Sequence, residues 1–173
     1  MKQLYYTGVG SRQTPPDIQR LMRNIAHRLQ EMGLRLRTGD ATGADRAFRN
    51  ACCNQEVYTA KESVLHSINP YVIDAMAMAE RIHPAWDRMS EYAQALHARN
   101  CFQVLGECLD NPSEFLICWT PEGKPVGGTR TAIMVAKEHG VPVFNLGDSQ
   151  GLSALTGHVK MQPWYAAHSL SHS

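Results

Sequence analysis

The sequence predicts a single α/β domain with a mainly parallel central sheet and helices on both faces. Three observations carry that expectation. Short apolar runs alternate with stretches of helical periodicity in the order β-α-β-α-β across residues 4–59. Three glycine-bearing loops each follow a strand-like run and lead into a helix-like one. With 173 residues, 43% hydrophobic and 19% charged, the chain has the size and composition of one globular domain.

Residues 4–9 are a short apolar and aromatic run ending in Gly8-Val9-Gly10-Ser11-Arg12, which reads as a strand and its turn. Pro15-Pro16-Asp17 opens a helix, with Thr14 as its expected N-cap. Ile18, Leu21, Ile25, Leu29 and Met32 then recur at helical spacing, and Gly33 stops the run. Residues 34–37 read as a second strand, 44–53 as a helix and 56–59 as a third strand. Residues 60–69 read as loop and 70–81 as a helix with an alanine and methionine face, broken by His83-Pro84. A long helix is expected from residue 87 to about 109, ended by Asn111-Pro112, and residues 114–119 form a buried-type strand. A helix over 129–139 is stopped by Gly140, and 141–146 is the last clear strand. The expected organisation is a domain over residues 1–147 and a weakly patterned, partly flexible C-terminal extension over 148–173, frayed from Ala167 to Ser173.

The net charge of +1 gives no global electrostatic case for nucleic acid or an anionic membrane. The five cysteines show no CxxC spacing, and the eight histidines show no HxH or HExxH pattern. Neither a disulfide scaffold nor a metal site is expected, and no cofactor. No segment has signal-peptide or membrane-spanning character, so a soluble, cytoplasmic protein is the expectation.

The loops carry the functional case. In an open parallel sheet, ligands bind beyond the carboxyl ends of the strands. A helix starting there offers free backbone N–H groups and a favourable dipole to an anion. Gly8 and Gly10 allow close backbone approach, Ser11 offers a hydroxyl, and Arg12 can clamp a phosphate through two N–H groups. In the second loop, Gly39, Asp40, Thr42, Gly43 and Asp45 lie together, and Asp45 suits either a ribose hydroxyl or the helix start. In the third, Gly127, Gly128, Thr129 and Thr131 bring N–H groups and hydroxyls to a helix start. Together these features indicate a nucleotide or nucleotide-derived ligand.

These segments resemble the SLOG group of Rossmann-like domains, which includes the DNA-processing protein DprA (Smf) and the LOG phosphoribohydrolases. The resemblance runs from about Leu4 to Leu146. Tyr6-Thr7-Gly8-Val9-Gly10-Ser11-Arg12 is similar to the opening strand and "GSR" loop, and residues 38–45 to "SGGAxGAD". Leu96-His97-Ala98-Arg99-Asn100 is similar to the LOG "MHxRK" helix, and Gly127-Gly128-Thr129-Arg130-Thr131 to "PGGxGT". The chain departs from the pattern at Asp40 in place of the second glycine, Asn100 in place of the lysine, and Met134 where LOG enzymes carry a catalytic glutamate.

The resemblance implies a phosphate pocket closed by Arg99, Asn100 and the third loop. Arg99 shares a helical stripe with Tyr92, Leu96 and Gln103, and reads either as a ligand clamp or as a buried salt bridge to Glu91 or Asp45. Trp119, at a strand end, is a candidate to stack on a base. Three functions follow. One is a nucleotide sensor or sequestering protein. The second is a nucleotide N-glycosidic hydrolase or transferase, with Asp45, Glu91 and Arg99 as catalytic candidates. The third is a DprA-like single-stranded DNA binder. A homodimer is implied by the resemblance alone.

Overall fold

The computed structural model describes residues 2–170. Among these residues, five parallel strands form one sheet in the order β3-β2-β1-β4-β5: β1 Tyr5–Gly8, β2 Arg35–Thr38, β3 Gln55–Val57, β4 Leu116–Cys118 and β5 Val143–Asn145. The chain winds outward from β1 through β2 to β3, then returns to place β4 on the other side of β1. The carboxyl ends of β1 and β4 therefore diverge into a crevice, the place where open α/β sheets bind ligands.

Helices cover both faces. α1 (Pro16–Glu31), α2 (Ala44–Ala51) and α6 (Gly151–Lys160) pack on one face. There Met22, Ala26 and Leu29 of α1, Phe48 of α2, and Leu155 and Val159 of α6 share a core with Phe115 and Ile117. α3 (Val72–Ile82), α4 (Glu91–Leu105) and α5 (Thr129–Glu138) cover the other face, where Leu116 and Cys118 meet Ala79, Ala98 and Ile133. Neighbouring residues of β4 serve opposite cores because strand side chains alternate, so every one of its positions is apolar and buried. No helix among the described residues is long and apolar enough to cross a membrane.

Several boundaries differ from the sequence expectation, each for a local reason. The helix expected from residue 87 is interrupted. A 3-10 turn, Trp86–Arg88, is followed by Met89 in extended conformation. α4 then starts at Glu91, where the Ser90 hydroxyl accepts the Ala93 N–H at 3.1 Å. It ends at Gly106, whose φ of 79° reverses the chain. Thr14 is not the N-cap of α1. Pro15 holds that position without a side-chain cap, and the Thr14 hydroxyl turns back to donate to the Ser11 carbonyl at 2.6 Å. Residues 60–69 are not all loop, since Lys61–Leu65 forms a π-helical turn. Beyond residue 147 the chain is not without order: α6 is followed by α7 (Pro163–Leu170). Of the residues expected to fray, 167–173, the first four belong to α7 and 171–173 lie outside the described residues.

Candidate functional site

A cavity of about 420 Å³ opens at the crevice between β1 and β4. That volume lies within the range of about 300–1,000 Å³ usual for small-molecule sites. Val9, Gly10, Ser11, Arg12 and Gln13 follow β1 into its wall, Ala41 arrives from the β2–α2 loop and Asp45 from the first turn of α2. Gly127, Gly128 and Thr129 come from the start of α5, and Arg99, Asn100 and Gln103 from α4. The three glycine loops thus converge on one space.

The first loop is fixed by backbone bonds. Ser11 N–H donates to the Trp119 carbonyl at 3.1 Å, tying the loop after β1 to the end of β4. The Ser11 hydroxyl accepts the Gln13 N–H at 3.0 Å. Arg12 is exposed on the cavity wall and makes no side-chain hydrogen bond or ion pair with any described residue. It is therefore the cation at this site that is open to a ligand.

Arg99 is not. Its Nη1 lies 2.9 Å from Asp40 Oδ1 and donates to the Tyr58 carbonyl at 3.0 Å, while Nη2 lies 4.0 Å from Asp45 Oδ2. Its Nε donates to Asn100 Oδ1 at 3.2 Å, and Asn100 Nδ2 donates to the Gly128 carbonyl at 3.0 Å. Of the two readings open for Arg99, the geometry favours the salt bridge, with Arg99 buried and its close partner Asp40 half-exposed. Its partners are Asp40 and Asp45; Glu91 is the exposed first residue of α4, away from the cavity wall. The chain Arg99–Asn100–Gly128 ties α4 to the third loop, so these residues position that loop's backbone.

Asp45 is 3% exposed, at the first turn of α2. Burial raises its carboxyl from the ordinary 3.8 to about 6, against the opposing pull of the Arg99 charge and of the Ala41 N–H donated at 3.3 Å. The carboxyl therefore changes charge just below neutral pH, the range in which a side chain can exchange protons with a ligand. His97, also on the wall, behaves oppositely. Burial first, then the charges of His83 and Arg99, push it down from 6.5 to about 4. It is a neutral imidazole at neutral pH, with Nδ1 2.7 Å from the buried Thr131 hydroxyl.

The remaining expected site residues do not line the cavity. Gly8 lies against the Phe48 ring with no room for a side chain. At Gly39, an added Cβ would collide with Arg99 Nη1, Asp45 Oδ2 and Gln103 Nε2, so this glycine lets the three polar groups crowd together. Gly43, at φ 80°, presses on the Ser11 and Arg12 carbonyls and locks the first two loops against each other. Thr42 is exposed away from the cavity, and Thr131 is consumed by His97. Trp119 packs its side chain on the core under α1 and α2, which leaves its ring off the cavity wall. Met134 is half-buried against the core under α3–α5 and does not line the cavity.

Among the wall residues that were not expected site residues are Gln103 and the apolar Ala93, Leu96, Pro121 and Val126. The sequence places Gln103 on the α4 stripe with Tyr92, Leu96 and Arg99, but only the structure shows that it is buried there. No group of three or more His, Cys, Asp or Glu residues that could hold a metal occurs among the described residues.

No protein-family model matches this chain, and no curated protein sequence matches it. Among solved structures, it is similar to DNA processing protein A from Helicobacter pylori, described for its single-stranded DNA binding mode. The TM-score is 0.55 at 20% sequence identity, over 92% of this chain and 74% of that one. The two chains share a fold, and the α/β domain described above is DprA-like in architecture.

Proposed function

We propose that the crevice binds a nucleotide or nucleotide-derived ligand, with its phosphate held by Arg12 and the N-terminus of α5, and that the chain is a SLOG-like member of the Rossmann-like domains. The observation that carries this reading is the unpaired Arg12 facing a cavity where Gly127, Gly128 and Thr129 open α5. A guanidinium and a helix start on one small cavity suit a compact anion. Binding without turnover is the favoured form. The position of the acid in the LOG pattern holds Met134, off the cavity wall, and the acid on the wall, Asp45, is tied to Arg99 and Ala41.

The second reading, single-stranded DNA binding, is favoured by one observation: the Helicobacter pylori protein of like fold is described as binding single-stranded DNA. Titration separates the two. Nucleoside 5′-monophosphates and an oligodeoxynucleotide are titrated at low and moderate salt. The nucleotide reading expects monophosphates to bind with a shallow salt dependence, because few phosphates are neutralised. Oligonucleotide affinity far above that of monophosphates, falling steeply with salt, would support the DNA reading instead.

A further inference from the structure

The wall of the cavity has a feature that a phosphate does not use. Gln103 is 1% exposed, yet its Oε1 has no hydrogen-bond partner, and Gln103 lines the cavity. A buried amide oxygen without a partner costs stability, and natural structures rarely retain one unless something else meets it. Its Nε2 gathers with Asp45 Oδ2 and Arg99 Nη1 around Gly39. The Arg99 guanidinium is occupied by Asp40 and the Tyr58 carbonyl, and Asp45 takes only the Ala41 N–H at 3.3 Å and Arg99 at 4.0 Å. Behind the lining, then, an amide oxygen without a partner and a weakly partnered carboxyl lie close together, both buried.

We propose that Gln103 and Asp45 form a hydroxyl-recognising floor that makes this site select ribose over 2′-deoxyribose in its nucleotide ligand; this rests on the phosphate-binding reading given above. The chemistry fits a vicinal diol. Each sugar hydroxyl is both donor and acceptor, so one can donate to the Asp45 carboxylate while its neighbour meets the amide. The terminal amide torsion is soft, so either end of the Gln103 amide can turn to the ligand. The base falls to the other wall, where Ala93, Leu96, Pro121 and Val126 present apolar surface. Removing one hydroxyl leaves a buried polar group unmet, the situation in which binding sites reject an analogue most strongly.

The test compares each of the adenosine, guanosine and cytidine 5′-monophosphates with its 2′-deoxy counterpart and with the unphosphorylated nucleoside. It uses wild type, Gln103→Leu, which keeps the volume without the amide, and Gln103→Asn, which keeps the amide but withdraws it. Folding is checked by circular dichroism. In wild type the tightest ribonucleotide should bind about tenfold or more better than its deoxy form. In Gln103→Leu that ratio should fall towards one while the phosphate preference over the nucleoside persists. Gln103→Asn, which serves if the leucine variant does not fold, should also lose most of the ratio. Equal ribo and deoxy affinities in wild type, with phosphate dependence intact, would overturn the ribose floor and leave the phosphate site standing. Absence of binding by any nucleotide would overturn both.

Discussion

The Asp45→Asn variant is expected to be more stable than wild type at pH 7.5, by about 2–3 kcal/mol, and to gain nothing at pH 4. The sign follows from the raised pKa. In the unfolded chain the carboxyl loses its proton near 3.8, whereas in the folded protein it holds the proton up to about 6. Between those values the folded state binds more protons, so stability falls as pH rises, and above pH 6 the full penalty is present. Asparagine keeps an acceptor for the Ala41 N–H and carries no charge to bury. His97 runs the other way. Its folded value of about 4, against an ordinary 6.5, means that the unfolded state binds more protons in between. Its contribution is therefore full above pH 6.5 and lost as pH falls towards 4. In wild type the two slopes oppose each other between pH 4 and 6. Removing one unmasks the other: Asp45→Asn should stabilise with rising pH across this window, and His97→Gln should destabilise. Urea denaturation across pH 4–7.5 reads both. A difference between wild type and Asp45→Asn that stays constant with pH would contradict the burial of a titrating carboxyl at this cavity.

Gly43→Ala is expected to cost about 2–5 kcal/mol. Alanine at a left-handed φ costs about 1–3 kcal/mol, and a contact forced into packed surroundings costs about as much again. Here φ is 80°, and the added Cβ would lie 2.6 Å from the Ser11 carbonyl oxygen and 2.8 Å from that of Arg12. Both are backbone atoms and cannot swing aside, so the loop carrying Arg12 must move. Nucleotide affinity should fall together with the denaturation midpoint. Gly157→Ala serves as the control. Gly157 lies within α6 with open space around it, so this substitution should be neutral or should stabilise by about 0.5–1 kcal/mol. Equal effects at the two positions would mean that the first and second loops are not locked together at Gly43.

The fold was legible where periodicity and glycine punctuation agree. The β-α-β order of the first half, the buried β4 and the sheet-end position of the loops all follow from patterns of two and of three to four residues. The last helices were not legible. α6 buries only Gly151, Leu155 and Val159, a stripe too sparse to stand out from its neighbours. Helix ends were blurred where tertiary contacts decide them, as at Met89, where a 3-10 turn precedes the Ser90 cap. At the candidate site, Gly10, Ser11, Arg12, Asp45, Arg99, Asn100 and Gly127 to Thr129 reach the cavity wall because loop position follows from strand ends. Partnership did not follow. Nothing in the spacing shows that Arg99 is held by Asp40 across the second loop, that Trp119 faces the core, or that Glu91 points to solvent. Those outcomes depend on which face of an element meets which neighbour, a three-dimensional fact. Gln103 was missed for the opposite reason: its burial makes it unusual, and burial is invisible in a sequence.

The central claim is that Arg12 holds a ligand phosphate in the crevice between β1 and β4. Calorimetric titration of wild type and Arg12→Ala, each with a nucleoside 5′-monophosphate and with the same nucleoside lacking phosphate, tests it most directly. Arg12 is exposed and makes no side-chain hydrogen bond or ion pair with any described residue, so its removal should leave the fold intact. Loss of a charge-assisted contact should weaken monophosphate binding by about tenfold to a hundredfold, while nucleoside binding stays where it was. Monophosphate binding that is equally tight in wild type and Arg12→Ala would contradict the claim.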